Sequence, residues 1–153
     1  MLCKRLLSFL AFSLLTGAGW LGAQSNEFLD GLLAEKEAPL GSTVYLALAA
    51  VGRIPETASL DEALAAARES GWPLPDKPAE TPVRLGGYAA LLMRAFDLPG
   101  GLMYRLFPGP RYAVRELAFL GAIHGRPDPA RKLSGEEVVR ILSILLESRE
   151  ERS

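Results

Sequence analysis

The chain has almost no cysteine and almost no histidine, and the two scarcities remove whole classes of chemistry. Its one cysteine is Cys3, so everything beyond the first few residues lacks a disulfide, a thiol nucleophile and a cysteine metal ligand. His124 is the one histidine; no histidine pair exists for a metal, and a Ser-His-Asp arrangement would rest on this single ring in a turn before Gly125. No β-hairpin signal competes with the helical patterning. The Leu98-Pro99-Gly100-Gly101-Leu102 stretch reads as a turn, because it lacks the lysine of a phosphate-binding loop. With no nucleic-acid motif present either, no catalytic residue, metal, cofactor or nucleic-acid partner is expected.

The one long apolar run stands at the start. Lys4 and Arg5 precede residues 6–15, which are apolar except for Ser8 and Ser13, followed by Thr16, Gly17, Ala18 and Gly19 and then Gly22-Ala23-Gln24-Ser25. That order of charge, grease and small exit residues is the pattern of a secretory signal peptide. Residues 1–25 are therefore expected to be a leader cut after Ala23 or Ser25, with the remainder exported to the periplasm or cell envelope. The run is short for a membrane span, so a membrane is expected as a partner only through this segment if it stays uncut. Cys3 lies ahead of the run, where it cannot be acylated at the leader's exit.

Charge is nearly balanced, with 17 basic and 18 acidic residues and a formal net charge of −1, but it is unevenly spread. Residues 26–83 hold ten acidic against four basic side chains, and residues 84–140 hold nine basic against five acidic. The second half thus offers a cationic surface that suits an acidic partner such as an anionic envelope glycan.

Beyond residue 25 the spacing predicts an all-α chain. A leading helix is expected within residues 26–39, a repeat domain over residues 40–149 and a frayed tail over residues 150–153. Three stretches 45 to 50 residues apart place apolar side chains at helical spacing: Tyr45, Leu48 and Ala49; Tyr88, Leu91 and Leu92; Val138, Ile141 and Leu142. Such amphipathic helices cannot bury their apolar faces alone, which predicts a central cluster of three. Between them lie two further helices, spelled Ala63-Leu64-xx-Ala67 and Ala113-Val114-xx-Leu117, giving helical-hairpin repeats. Ser59 with Glu62 and Ser134 with Glu137 are capping-box spellings that fix two helix starts. Residues 73–82, interrupted by Pro73, Pro75, Pro78 and Pro82, read as an ordered loop. Residues 102–108 are expected to lie over the core through Met103, Tyr104, Leu106 and Phe107.

Leu117-xxx-Gly121-Ala122-Ile123, then Gly125-Arg126-Pro127-Asp128, Pro129 and Leu133-Ser134-Gly135-Glu136-Glu137-Val138, resembles a repeat of the S-layer homology family. The earlier copy shows Gly71-Trp72, Pro75-Asp76, Pro78 and Val83-Arg84-Leu85-Gly86-Gly87-Tyr88. The resemblance implies helical hairpins around a three-helix centre, and grooves between repeats that bind anionic cell-wall polysaccharide. The family's T-R-A-E arginine falls on Ser42, Leu85 and Gly135, while Glu137 keeps the acidic position. Cations for the grooves would then come from Arg84, Arg126 and Arg131. Ligand-binding candidates are accordingly Arg84, Arg126, Arg131, Glu137, Trp72 and Tyr88, the aromatic pair as stacking surfaces for a sugar. The function expected is non-catalytic attachment in the cell envelope, to a polysaccharide or an envelope protein, with a second copy of the chain supplying what an incomplete set of repeats lacks. The alternatives are a periplasmic protein-interaction scaffold whose glycan groove is lost, and a small periplasmic hydrolase using a pair drawn from Asp76, Asp128 and Glu137.

Overall fold

A computed structural model describes residues 19–151 of the chain, with burial described from residue 26 onward. Most of the expected leader, residues 1–18, and the last two residues of the expected tail lie outside the described residues. Two compact units divide between Gly31 and Leu32. The described part of the first is helix alone, the greater part of α1 (Gly19–Ala34). This helix begins ahead of both expected cut sites and ends at Ala34, inside the residues 26–39 where the leading helix is expected. The second unit holds the last turn of α1 and everything after it.

That unit is all-α. Its helices are α2 (Leu40–Ala50), α3 (Leu60–Glu69), α4 (Leu85–Ala95), the single turn α5 (Leu102–Leu106), α6 (Pro110–Phe119) and α7 (Gly135–Glu150). Among the described residues there is no strand, only two isolated bridges, Pro39 with Pro82 and Arg84 with Lys132. Helix α2 packs on α3 and α4 packs on α6, so two helical hairpins follow one another, and α7 comes after them in contact with α2.

The starts of α2, α4 and α7 are tied together by backbone hydrogen bonds that run in a ring. Ala38 N–H donates to Leu133 O at 2.8 Å, Leu133 N–H donates to Val83 O at 3.2 Å, and Val83 N–H donates to Ala38 O at 2.9 Å. One step further on, Leu40 N–H reaches Thr81 O, Leu85 N–H reaches Arg131 O and Gly135 N–H reaches Glu35 O. Prolines hold two of these segments extended: Ala38 before Pro39 and Thr81 before Pro82 are pushed out of the helical region, leaving backbone groups free to pair across the ring.

The ring corrects the alignment of the first helix. It places Leu40, Leu85 and Gly135 in corresponding positions, so Thr43 answers Tyr88 and Val138, and the position assigned to Ser42 belongs to Leu40. The buried stripe of α2 is Leu40, Thr43, Val44, Ala47 and Leu48. Tyr45 and Ala49, expected on it, are partly exposed, and the Tyr45 hydroxyl donates to Glu56 O at 2.6 Å. Aligning Tyr45 with Tyr88 matches two aromatic residues, whereas the ring sets Thr43 against Tyr88 in register. Tyr88 is 1% exposed and its hydroxyl donates to Val138 O at 2.9 Å, which satisfies the one polar atom of a large buried ring.

Both capping boxes form as spelled. Ser59 Oγ accepts from Glu62 N–H while Ser59 N–H donates to the Glu62 carboxylate, and Ser134 and Glu137 repeat the arrangement. In α3 and α6 the aligned residues Ala63, Leu64, Ala67 and Ala113, Val114, Leu117 are all buried. Leu60, at the first helical position of α3, is 37% exposed.

A second correction concerns residues 102–108. Only Tyr104 turns into the core, and Met103, Leu106 and Phe107 face outward, with Leu102 beside them. A single turn of helix has one inward face, and Tyr104 fills it.

Candidate functional site

Two hollows lie where the hairpins and the ring meet. The first, about 540 Å³, is lined by the proline loop through Pro73, Leu74 and Pro75, by the start of α4 through Gly86 and Gly87, and by Pro110 and Pro129. Glycine at position 86 is required by this closeness: a Cβ there would stand 2.9 Å from Pro110 Cβ and 3.0 Å from Pro129 O. The lining is chiefly apolar, with Lys77 and Arg84 as its cations.

The second hollow is open and cationic, about 870 Å³, and is lined by Arg111, Arg115, Arg126, Pro127, Asp128, Pro129 and Ala130. Arg111 and Arg115 are four residues apart on the outer face of α6, which places both guanidinium groups over the loop that carries Arg126. All three are exposed, and none makes an ion pair among the described residues. Asp128 is the one acid of the lining; its Oδ1 accepts the Ala130 N–H at 2.9 Å, a turn-forming bond.

The candidates named from the sequence separate sharply. Arg126 lies in the cationic hollow. Arg84 is exposed at the start of α4, and its Nη1 donates to Ala130 O at 3.1 Å. Arg131 and Glu137 are joined to each other at 2.6 Å, with Arg140 4.0 Å from the same carboxylate. Burial opposes the charge on Glu137, but the Arg131 hydrogen bond, the Ser134 N–H and the charges of Arg131 and Arg140 outweigh it and hold the carboxyl below its ordinary value. These two residues thus lock the start of α7, with both side chains partly exposed.

Tyr88 is a core residue at 1% exposure and also lines the first hollow; burial pushes its hydroxyl's pKa upward. Trp72 is partly exposed, with the Arg53 guanidinium carbon 6.0 Å from its ring centroid, at the limit of a cation–π contact. Sequence reasoning missed Arg111 and Arg115. The signal was there in their i, i+4 spacing opposite the buried Val114 and Leu117.

His124 is exposed, and its Nδ1 lies 2.6 Å from Arg140 Nη1. Among the described residues no group of three His, Cys, Asp or Glu side chains is placed to hold a metal ion, and no helix is long and apolar enough to cross a membrane. No family model, curated protein or solved structure matches the chain.

Proposed function

We propose that the chain is a non-catalytic attachment domain, exported to the cell envelope, that holds an anionic envelope polysaccharide in the hollow formed by Arg111, Arg115 and Arg126. The supporting observation is the convergence of three exposed guanidinium groups without acidic partners on one open concavity. Guanidinium groups bind carboxylate or phosphate through paired hydrogen bonds, so a polymer bearing such groups at intervals fits three arginines better than a compact monovalent anion does. The resemblance to S-layer homology repeats points to the same class of ligand, although the cations come from α6 and its following loop and not from the family's helix-start arginine.

Sedimentation with isolated cell-wall polysaccharide tests this. The protein is expected to co-sediment at about 0.01 M salt, where charges are felt over roughly 30 Å, and to stay in solution at about 1 M, where screening cuts that range to roughly 3 Å. The triple change Arg111→Glu, Arg115→Glu, Arg126→Glu is expected to abolish pelleting at low salt with helix content unchanged. Equal pelleting by the variant ends the proposal. Assembly with a second copy belongs to the same reading, and a strictly monomeric mass by light scattering would remove that part of it.

A specific observation favours a second reading, a protein-interaction scaffold. The 540 Å³ hollow is chiefly apolar and walled by prolines, which suits an extended peptide more than a charged glycan. Attachment that survives high salt and is lost on Leu74→Glu would select this reading over the first.

A further inference from the structure

The turn between the two helices of the second hairpin exposes more apolar surface than its packing explains. Leu102, Met103, Leu106 and Phe107 are 68%, 50%, 59% and 63% exposed. Singly exposed apolar residues are ordinary, but four within six positions form a contiguous patch. The platform beneath is held firmly. Tyr104 is buried, Gly100 takes the left-handed φ of +59° against the Tyr104 ring, and Phe107 stacks on Tyr112 with centroids 6.5 Å apart. At its rim, Arg94 and Arg105 line a hollow of about 270 Å³ with Tyr104 and Pro108; neither makes an ion pair among the described residues, and Asp97 is the acid of that lining.

We propose that this α5 surface docks on an anionic lipid surface, with Leu102, Met103, Leu106 and Phe107 entering the headgroup and acyl boundary and Arg94 and Arg105 meeting lipid phosphates. An apolar tip with basic side chains beside it is the arrangement by which proteins lie on a bilayer without crossing it. Arginine stems lie along apolar surface while their guanidinium groups remain at phosphate level. The dimension of the patch argues against a second copy as occupant. Four side chains at these exposures present roughly 400 Å², about half of the roughly 800 Å² per partner that a stable dimer buries. Because Arg94 and Arg105 take no part in the arginine hollow on α6, failure of the polysaccharide proposal leaves this one standing, and the reverse holds too.

The test uses the full chain with a probe local to the patch, so that attachment through the apolar run at residues 6–15 does not register. Cys3→Ser with Leu106→Cys is labelled with an environment-sensitive fluorophore, and Cys3→Ser with Thr57→Cys, at an exposed position outside the patch, serves as control. Vesicles of phosphatidylcholine and phosphatidylglycerol are expected to blue-shift the label at position 106 and not the one at 57. Pure phosphatidylcholine is expected to require about tenfold more lipid for the same shift, and Arg94→Glu with Arg105→Glu to raise the requirement on mixed vesicles by at least about tenfold. Leu102→Asp, at the most exposed of the four side chains, is expected to do the same. No shift at 106 with mixed vesicles overturns the proposal. So does equal affinity for both vesicle types, or a shift without vesicles that grows with protein concentration, which would indicate a second copy on the patch.

Discussion

In the first hairpin the chain leaves α2 through Gly52 and leaves α3 through Gly71; in the second it leaves α4 through Asp97 and α6 through Gly121. All four residues are left-handed, and each cap closes with the same pair of bonds, as in Gly52 N–H to Ala49 O with Arg53 N–H to Leu48 O, and Asp97 N–H to Arg94 O with Leu98 N–H to Met93 O. The backbones thus follow one plan. The surfaces do not: residues 26–83 carry the acidic excess, whereas the second hairpin carries the arginine hollow and the apolar α5 turn. What the halves share builds the fold, and what they do not share carries the proposed binding.

The glycines at the helix starts break the comparison most severely. A Cβ at Gly135 would run into the carbonyl oxygen of Leu32. Relief would require parting the Gly135 N–H from Glu35 O, so Gly135→Ala is expected to cost about 3–4 kcal/mol in chemical unfolding. Gly86 and Gly41 correspond in the ring but differ in surroundings. Gly86→Ala meets Pro110 and the backbone of Pro129, rigid on both sides, and is expected to cost about 2–3 kcal/mol. At Gly41 the new atom meets the methyl of Ala79 at 2.9 Å, with its backbone at 3.5 Å, and a small shift of the proline loop relieves it, for about 1–2 kcal/mol. Equal losses at 86 and 41 would show that the two junctions are equally compliant.

The capping boxes differ less. Glu62 has Ser59 alone, whereas Glu137 adds Arg131 and Arg140. Glu137→Ala is expected to cost about 1–2 kcal/mol, with Glu62→Ala below it. Since the folded-state pKa of Glu137 lies below its ordinary 4.5, the carboxylate's contribution is complete above that value and fades as pH falls through the lowered one. Acid titration of stability should therefore be shallower in Glu137→Gln than in the parent, and the difference should vanish above about pH 6 in slope though not in level.

Much of this was legible in the residues because it rests on local rules. Capping-box spellings and the paired Ala63-Leu64 and Ala113-Val114 motifs each need only a few neighbouring positions to be read. Partnership across the fold was not legible. Thr43 could be matched to Tyr88 only once the ring had set the register. The pairing of Arg131 with Glu137 and the burial of Tyr88 likewise needed the fold. Greasy residues at 102–107 were assigned to the core because hydropathy records preference and not direction.

Asp97 offers the smallest and most pointed test of the shared plan. At φ +48° it is the one non-glycine among the described left-handed residues, and its counterpart in the first hairpin is Gly52 at φ +70°. A side chain in that region costs free energy that glycine does not, moderated for aspartate by its short polar group. Asp97→Gly is expected to stabilise by about 0.5 kcal/mol, part of the gain being offset by the greater freedom of glycine in the unfolded chain. Gly52→Ala should destabilise by about 1 kcal/mol. Thermal melts of the two variants should move in opposite directions if the exits are equivalent; a loss of stability in Asp97→Gly would mean that the Asp97 carboxylate holds the second exit through a contact the first does not need.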